Sequence, residues 1–571
     1  MSRRETFGNY AVLALGVITF ATTVFAVWQH FSPLPYGDSW DGSIGFYMRA
    51  AQDPWHAFFE QHNEHRLTFS RLIFFADIRY FGGRNVFSLI SNLMLAGALA
   101  VAFFRITIHY RPTLSRQTRF GLAGAILVFA FSWMQRENFA WGFQSQWFAV
   151  YLFALLAFHS IDRTAEANAG DERARRLGWL TAALVSAWLA AYSMSSGVLV
   201  LPALIVQALY VRLKPRELLA IVVVAVAVWL AYFIDWHKPG SSGNLIAGVR
   251  EHPIAAVRYA LLYLGSPAFQ IRTGLAGAYV AGILVLAALA ANCFKLLRPS
   301  ADRPQGVALL VFALFIAGNA LLTASGRLWF GLETALASRY TTASLMGWLA
   351  LILFAALNSR TPEQLKRAVF VATLATLAVA SGQRFFVRAD RDETYARFVA
   401  GLALRAHVYD PEIIRPVYPF PDALPNIARQ AEAEQLSIFA LNQPDYLVPP
   451  SRINASLPCA GSIDDISATT TPGMYRATGW IYDQADKRTP RAIVVTDAAG
   501  MTLGTGVIGA ERGDVRNIFG RRARYSGWTA FFKAPASGGI RVDGQTANGT
   551  YCALQAEKPM PAAMPAAATV Q

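Results

Sequence analysis

Charge is scarce in this chain. Asp, Glu, Lys and Arg make up 15% of its 571 residues, where a soluble domain carries roughly 25%. With 54% hydrophobic residues and a mean hydropathy of +0.33, that shortage excludes a chain that is water-soluble throughout. Cysteine is scarcer still, three residues with no Cys-x-x-Cys pair. The sequence also lacks a P-loop, a Gly-x-Ser-x-Gly elbow and a His-Glu-x-x-His motif, which leaves ATP-driven transport, serine-hydrolase and zincin chemistry without support. Acidic residues are outnumbered, 36 against 51 basic ones. The basic excess does not indicate nucleic acid as a partner, because most Lys and Arg stand in short loops beside apolar runs, where they anchor a membrane protein against anionic membrane lipids.

Long apolar runs are what the sequence does have. They lie at Tyr10–His30, Val86–Ile108, Phe120–Trp133, Trp147–Ile161, Leu177–Met194, Val198–Val211, Leu218–Ile234, Leu275–Phe294, Val307–Thr323, Thr342–Leu357 and Ala368–Gly382. Most have the length that crosses a ~30 Å hydrocarbon core as helix. The first follows Arg3 and Arg4 with no small-x-small cleavage site after it, so it reads as a retained span. The fold class expected is a polytopic α-helical membrane protein of about eleven transmembrane helices over residues 1–382. Every second loop is basic: Arg111, Arg116 and Arg119; Arg173, Arg175 and Arg176; Arg212, Lys214 and Arg216; Lys295, Arg298 and Arg303; Arg360, Lys366 and Arg367. The positive-inside rule then makes the N-terminus cytoplasmic, and an odd number of spans sends the tail from Gln383 to the opposite, periplasmic or extracellular face.

The first outside loop, residues 31–85, breaks this pattern with Arg66, Arg71, Arg79 and Arg84, which either bind an anion or snorkel at the membrane surface. Asp53 before Pro54 signals a helix start, and Trp55, Phe58, Phe59 and His62 follow at one-face spacing, as in an interfacial helix. Leu67–Tyr80 reads as a second one. Around them stand Asp38 and Asp41 in "YGDSWD" and His62, Asn63, Glu64, His65 and Arg66 in "QHNEHR". Carboxylates at a membrane exit suit glycosyl transfer from a lipid phosphate, where a hydroxyl needs a base and the departing phosphate needs positive charge or a metal. The plainer reading gives Asp38 a capping role and Glu64 a pairing with His65 or Arg66. His62, Glu64 and His65 carry the atoms to ligate a divalent metal, and equally make the polar face of an interfacial turn.

Other outside loops add binding chemistry. "WMQRENFAWGFQSQWF" sets Arg136, Glu137, Asn138, Gln144 and Gln146 among Trp133, Phe139, Trp141, Phe143 and Trp147. Flat aromatic faces with amides and a charged pair suit a sugar ring, and their number exceeds the needs of an aromatic belt. The loop from Asp235 to Thr273 contains "HKPGSSGN" and an apolar stretch, Ile254–Phe269, that either lies along the interface or dips into the membrane. In "ASRYTTAS", Arg339 and Tyr340 stand at an outer mouth, where Arg339 suits a lipid-borne phosphate or simply anchors the interface.

After Gln383 the composition turns charged and proline-punctuated. A helix over Asp390–His407 opens a linker region at 383–450. Short alternating runs, Tyr475–Tyr482, Ala492–Asp497, Leu503–Ile508, Trp528–Lys533, Ile540–Val542 and Tyr551–Leu554, then predict a periplasmic β-sandwich over residues 451–555, and a disordered tail follows at 556–571. Asp464 and Asp465 read as an approach loop. Trp480, Tyr482 and Trp528 offer stacking faces or core packing. Cys459 and Cys552 bracket this domain on the oxidising side, so a disulfide is expected between them.

A long first outside loop with Asp just after the first span, paired interfacial helices, about eleven spans and a soluble outside domain together resemble the GT-C superfamily of polyprenyl-phosphate-sugar-dependent membrane glycosyltransferases. The segments "QHNEHR", "ENFAWGFQSQW" and "SRYTT" also resemble a group of bacterial multi-pass proteins. The likeness covers residues 1–382. It implies a sugar moved from a polyprenyl-phosphate-linked sugar donor to a periplasmic glycan or lipid acceptor, with Asp38 or Asp41 as base. Many members carry adjacent acids where this chain has Asp-Ser-Trp-Asp, so the choice between the two stays open. The alternative is a non-catalytic transporter or export component for lipid-linked glycans.

Overall fold

The computed structural model describes residues 3–170, 172–238, 250–297, 304–385, 391–440, 449–455, 457–554 and 557–561. Most of "HKPGSSGN", Arg298, Arg303 and most of the expected tail lie outside these residues. The chain divides into two compact units. Met1–Phe31, Arg49–Asp77 and Val86–Arg388 form the first, and Ser32–Met48, Ile78–Asn85 and Ala389–Gln571 the second. The long first loop is thus shared between them.

The first unit is helical. Eight of its helices are long and apolar enough to cross a membrane: Glu5–Gln29, Val86–Tyr110, Gly142–Ala169, Pro215–Phe233, Gly274–Leu297, Val307–Phe330, Ser338–Leu357 and Pro362–Arg384. The other three expected spans are helical but fall short. Arg116–Ala130 has 15 residues, a rise of about 22 Å; Ser195–Tyr210 is likewise brief; Arg173–Ala191 opens on Arg173, Arg175 and Arg176. A further helix, Pro253–Gln270, packs against the Gly274–Leu297, Val307–Arg327 and Ser338–Leu357 helices and buries Tyr259, Tyr263 and Ser266.

Apolar side chains gain little by leaving lipid for one another, so close packing depends on small residues at the crossings. Gly16 faces Gly124 where Arg3–Gln29 meets Arg116–Ala130, and Gly265 faces Ala278 and Gly282, so that a Cβ at any of the three glycines Gly16, Gly124 or Gly265 would collide with backbone. The centre of the bundle is held by Gly142–Ala169 and Ser338–Leu357, whose apolar windows are each 78% buried, against 11% for Gly274–Leu297. One pole is closed by polar ties. Asp162, buried, accepts hydrogen bonds from Tyr110 Oη (3.1 Å), Gln207 Nε2 (2.8 Å) and Ala308 N (3.0 Å). A second tie joins Glu217 to Arg176 at 3.1 Å and to Asn168, from which it accepts at 2.7 Å.

The Pro54–Phe59 helix begins as its sequence dictates, with the Asp53 carboxylate accepting from His56 N at 3.0 Å. It does not continue to His62. Glu60 leaves the helical conformation, and its carboxylate is held by Arg49 (2.8 Å) and Arg71 (3.2 Å). His62 falls instead in a two-stranded hairpin, β1 (Gln61–His62) against β2 (His65–Arg66), with His62 opposite His65. The two-residue turn is Asn63–Glu64, where Asn63 takes φ +49°, a left-handed conformation that Asn tolerates. Thr68–Phe81 then forms the second expected helix and stops at Gly82 and Gly83, both at positive φ.

In the second unit, the "YGDSWD" segment leads into a π-helical turn, Trp40–Gly45, which takes in Asp41 but not Asp38. Trp40 is fully buried among Ala400, Leu404, Ile414, Val417, Leu424 and Ala428 from the helices Arg391–Arg405, Pro411–Ile414 and Leu424–Ala433 and the turn after Ile414. The strands that follow are β3 (Leu457–Ala468), β4 (Met474–Tyr482), β5 (Ala492–Thr496), β6 (Thr502–Ala510), β7 (Gly527–Lys533), β8 (Gly539–Gln545), β9 (Tyr551–Leu554) and β10 (Lys558–Pro559). They do not make a sandwich. The order β8-β5-β6-β7-β4-β3-β9 is closed by a β8–β9 pairing, so the sheet curls into a barrel, with β10 added beside β8. Inward and outward residues alternate in both architectures, so alternation alone does not separate them. Asp464 and Asp465 lie within β3, at a bulge in its pairing with β4, and not in a loop. The expected tail contributes β10, so its beginning is ordered into the sheet. Cys459 on β3 and Cys552 on the adjacent β9 form a disulfide with Cα atoms 5.3 Å apart. Ile481, Ile493, Val495, Trp528, Phe532 and Val542 fill the interior.

Candidate functional site

Two ion pairs stand at the pole of the first unit opposite the Asp162 ties. In the helix Ser145–Ala169, Asp162 stands 17 residues beyond Ser145, and the helix start follows directly on the "RENFAWGFQ" loop, so the poles are roughly 25 Å apart. In one pair, Arg327 Nη2 donates to Glu64 Oε1 at 2.6 Å. In the other, Arg339 Nη1 donates to Glu137 Oε1 at 2.7 Å. Arg327 ends the Val307–Arg327 helix and Arg339 is the second residue of Ser338–Leu357. The pairs therefore sit at the two ends of one short connection built from 3-10 turns, Leu328–Phe330 and Leu332–Leu336.

Glu64 is placed by its hairpin turn and by Tyr232, whose hydroxyl donates to the Glu64 carbonyl at 3.2 Å. Burial pushes its carboxyl up, but the charges of His65 and Arg327 outweigh that and hold it below the ordinary glutamate value of 4.5. Oε1 is engaged by Arg327, whereas Oε2 is buried and accepts no hydrogen bond among the described residues. His65 lies 3.7 Å from Glu64 through Nε2, and its Nδ1 meets Ser195 Oγ at 2.8 Å. Ser195 opens the 3-10 turn that leads into the Val200–Tyr210 helix.

Glu137 does more than neutralise Arg339. It accepts from Ser338 Oγ and Arg339 N, both at 3.3 Å, and so caps the central helix whose guanidinium it holds. Asn138, fully buried, donates to the Arg339 carbonyl and to Thr342 Oγ1, each at 2.8 Å. Thr342 in turn donates to Gln135 at 2.6 Å. Tyr340 lies beneath, its ring 5.4 Å from that of Trp147 and 5.3 Å from that of Tyr263, with the Arg339 guanidinium 5.1 Å above its centroid. Deeper still, Asn319 Nδ2 donates to the hydroxyls of Tyr151 and Tyr263 at 3.1 Å each. Thr334 ties the connection together by donating to the Gly331 carbonyl at 2.7 Å while standing 3.3 Å from the Tyr259 hydroxyl.

Several sequence-derived assignments change. Arg66 is not free for an anion: its Nε donates to the Tyr232 carbonyl at 2.7 Å, and its two Nη groups donate to the Phe59 and Ile234 carbonyls. Arg71, fully buried, donates to the carbonyls of Phe58 (3.2 Å) and Glu60 (2.6 Å) besides its carboxylate bond. These two arginines brace the backbone. His62 is buried with its ring 5.4 Å from that of Phe143, across the strand pair from His65. Among the described residues no group of three or more His, Cys, Asp or Glu is arranged to hold a metal ion. Arg136 is exposed and Asn63 marks the exposed hairpin tip, while Gln144 and Gln146 are buried and share a 3.4 Å hydrogen bond. Trp141 is half-buried beside Phe143.

Asp38 and Asp41, half-buried on either side of Trp40, belong to the second unit. In the barrel, Trp528 is core, and Tyr482 is buried with Val515 and Ala523 while Trp480 and Phe519 pack on them, so the stacking faces considered for Trp528 and Tyr482 are covered. Sequence reasoning missed Arg327, although it ends an apolar run on the side that the charge pattern makes the outer one, the same signal that singled out Arg339. It also missed Ser195, in the short gap between two apolar runs, and Tyr259, Tyr263 and Asn319, whose polar atoms are hidden in apolar stretches. Comparison with protein-family models, with curated proteins and with solved structures gives no match to this chain.

Proposed function

We propose that the chain is a multi-pass enzyme of the bacterial inner membrane that moves a sugar from a polyprenyl-phosphate carrier to a periplasmic glycan or lipid acceptor. The observation that carries this reading is the pair of Arg–carboxylate contacts, Arg327–Glu64 and Arg339–Glu137, at the two ends of one connection and above a Tyr–Trp floor. The bond from the anomeric carbon to phosphate oxygen breaks, the bond to the acceptor oxygen forms, the acceptor proton passes to a carboxylate, and the phosphate leaves as an anion. Guanidiniums already fixed by carboxylates need little reorganisation to receive that anion. Glu64, held ionised with one oxygen unengaged, is assigned to a sugar hydroxyl, and Asp38 or Asp41 to the base. The Asp162 pole, near the basic loops, is assigned to the cytoplasmic face and the ion pairs to the periplasmic one, and the C-terminal domain is likewise assigned to the periplasm. The disulfide accords with an oxidising compartment.

The test is transfer of a radiolabelled sugar from its polyprenyl phosphate by the full chain in liposomes. Wild type is expected to transfer label, and Arg327→Ala and Arg339→Ala to lose transfer while remaining folded. Unimpaired transfer by both variants would overturn the assignment. The second reading, a transporter of lipid-linked glycan, draws on the buried Asn319–Tyr151–Tyr263 group inside the bundle. Movement of intact labelled lipid across the bilayer without transfer would favour it.

A further inference from the structure

The connection between β6 and β7 presents a surface that neither the barrel core nor the proposed chemistry uses. From Glu511 to Tyr525 it holds five arginines against two acids. Both acids are already paired. Arg512 contacts Asp514 and Asp464 at 2.6 Å each, and Arg524 contacts Glu511 at 2.9 Å. Arg516, Arg521 and Arg522 are exposed, and no ion pair among the described residues engages them. In the same connection the short helix Gly513–Phe519 turns Val515 inward, 2% exposed, and Ile518 outward, 76% exposed. Phe519, half-buried, packs its ring 5.8 Å from Trp480 and 5.3 Å from Tyr482, which fixes the helix on the barrel.

The connection thus exposes one large apolar side chain and three guanidiniums that no ion pair neutralises among the described residues. An anionic membrane surface accommodates both features, with the apolar side chain at the acyl boundary and the guanidiniums at lipid phosphates. The Arg391 guanidinium stands over the Tyr525 ring at 4.5 Å, so a further cation borders the same connection.

We propose that Arg516, Ile518, Arg521 and Arg522 form an interfacial foot that seats the barrel on anionic phospholipid. The inference is independent of the sugar-transfer reading, because it needs only the apolar helices and the surface itself. It is tested on the full chain in nanodiscs, with an environment-sensitive fluorophore on Ile518→Cys and the free Cys293 changed to Ala. The nanodiscs are phosphatidylcholine alone or with about one third phosphatidylglycerol, each with and without nitroxide-labelled lipid. The expected result is a blue-shifted emission quenched by the nitroxide lipid, stronger with phosphatidylglycerol and weakened by raised salt. The triple change Arg516→Glu, Arg521→Glu and Arg522→Glu should abolish the quenching while leaving the barrel protease-resistant. Water-like emission without lipid quenching in either nanodisc would overturn the proposal. So would quenching that ignores both lipid charge and the triple change, or a blue shift that persists without lipid quenching, which marks a protein partner.

Discussion

Arg71 and Arg339 stand in the same unit, and the charge pattern of the sequence marks both as arginines out of place, yet they do different things. Arg71 is fully buried, and its hydrogen bonds go to the Phe58 and Glu60 carbonyls and the Glu60 carboxylate. Arg339 is about one-third exposed, touches one carboxylate and lies over a tyrosine ring. The first arginine completes backbone that would otherwise be unsatisfied; the second is a partly exposed charge held by a single carboxylate. An arginine in the wrong loop is therefore no sign of a ligand until its own partners are known. Arg66 belongs with Arg71, and Arg327 with Arg339.

The largest expected effect tests the buttress. Arg71→Met should destabilise the first unit by ~2–4 kcal/mol, because it takes the donor from the Phe58 and Glu60 carbonyls and one of two guanidiniums from the Glu60 carboxylate. Thermal unfolding in detergent measures this, and Arg339→Met should shift it by under ~1 kcal/mol, as for a partly exposed pair. Equal losses from both would erase the distinction. Next in size is the base. Asp38→Asn or Asp41→Asn, which keep shape and remove basicity, should lower the transfer rate by ~10²–10⁴ in one of the two variants with donor binding retained. Normal rates in both would move the base to Glu64, into the same cluster as the guanidiniums.

Why these roles were only partly legible follows from the partners. The helix at Pro54 needs only Asp53 and the residues after it, and the sequence shows them together. The buttress needs Tyr232 and Ile234, 166 and 168 positions from Arg66, and no local pattern announces a carbonyl. Apolar runs announced the helices, yet a run such as Phe120–Trp133 does not reveal that its helix ends after 15 residues. In the barrel, six strands were legible from alternation. β3 was not, because Gly461, Asp464 and Asp465 interrupt its apolar positions and a bulge shifts its register. Closure was not legible either, since it depends on β9 pairing with both β3 and β8.

A smaller effect sharpens the second half of the comparison. If Arg327 and Arg339 receive phosphate in a fork geometry, Lys at either position keeps the charge and loses the second hydrogen bond. Donor affinity should then fall by ~1–3 kcal/mol for Arg339→Lys and for Arg327→Lys, read by titrating the lipid donor into the reconstituted protein. Arg66→Lys should leave donor affinity unchanged in whatever fraction stays folded, because its guanidinium already faces three carbonyls. A loss in donor affinity at Arg66 equal to that at Arg339 would return it to the binding set.

The smallest expected effect concerns protons. Glu64 titrates below its ordinary value in the folded protein, so as pH falls the unfolded chain takes up the proton first. The Glu64–Arg327 contact therefore contributes fully above about pH 4.5, and that contribution disappears as pH drops through the lower folded value. The pair is partly exposed, which limits it to under ~1 kcal/mol. Unfolding temperature between pH 6 and pH 4 should consequently fall slightly more for wild type than for Glu64→Gln, which has no proton to gain. Arg71 offers the contrast, since its donors reach mainly backbone carbonyls that do not titrate. If Glu64→Gln proved as acid-sensitive as wild type while Arg327→Gln abolished donor binding, the carboxylate would be a bystander and Arg327 alone the anion site.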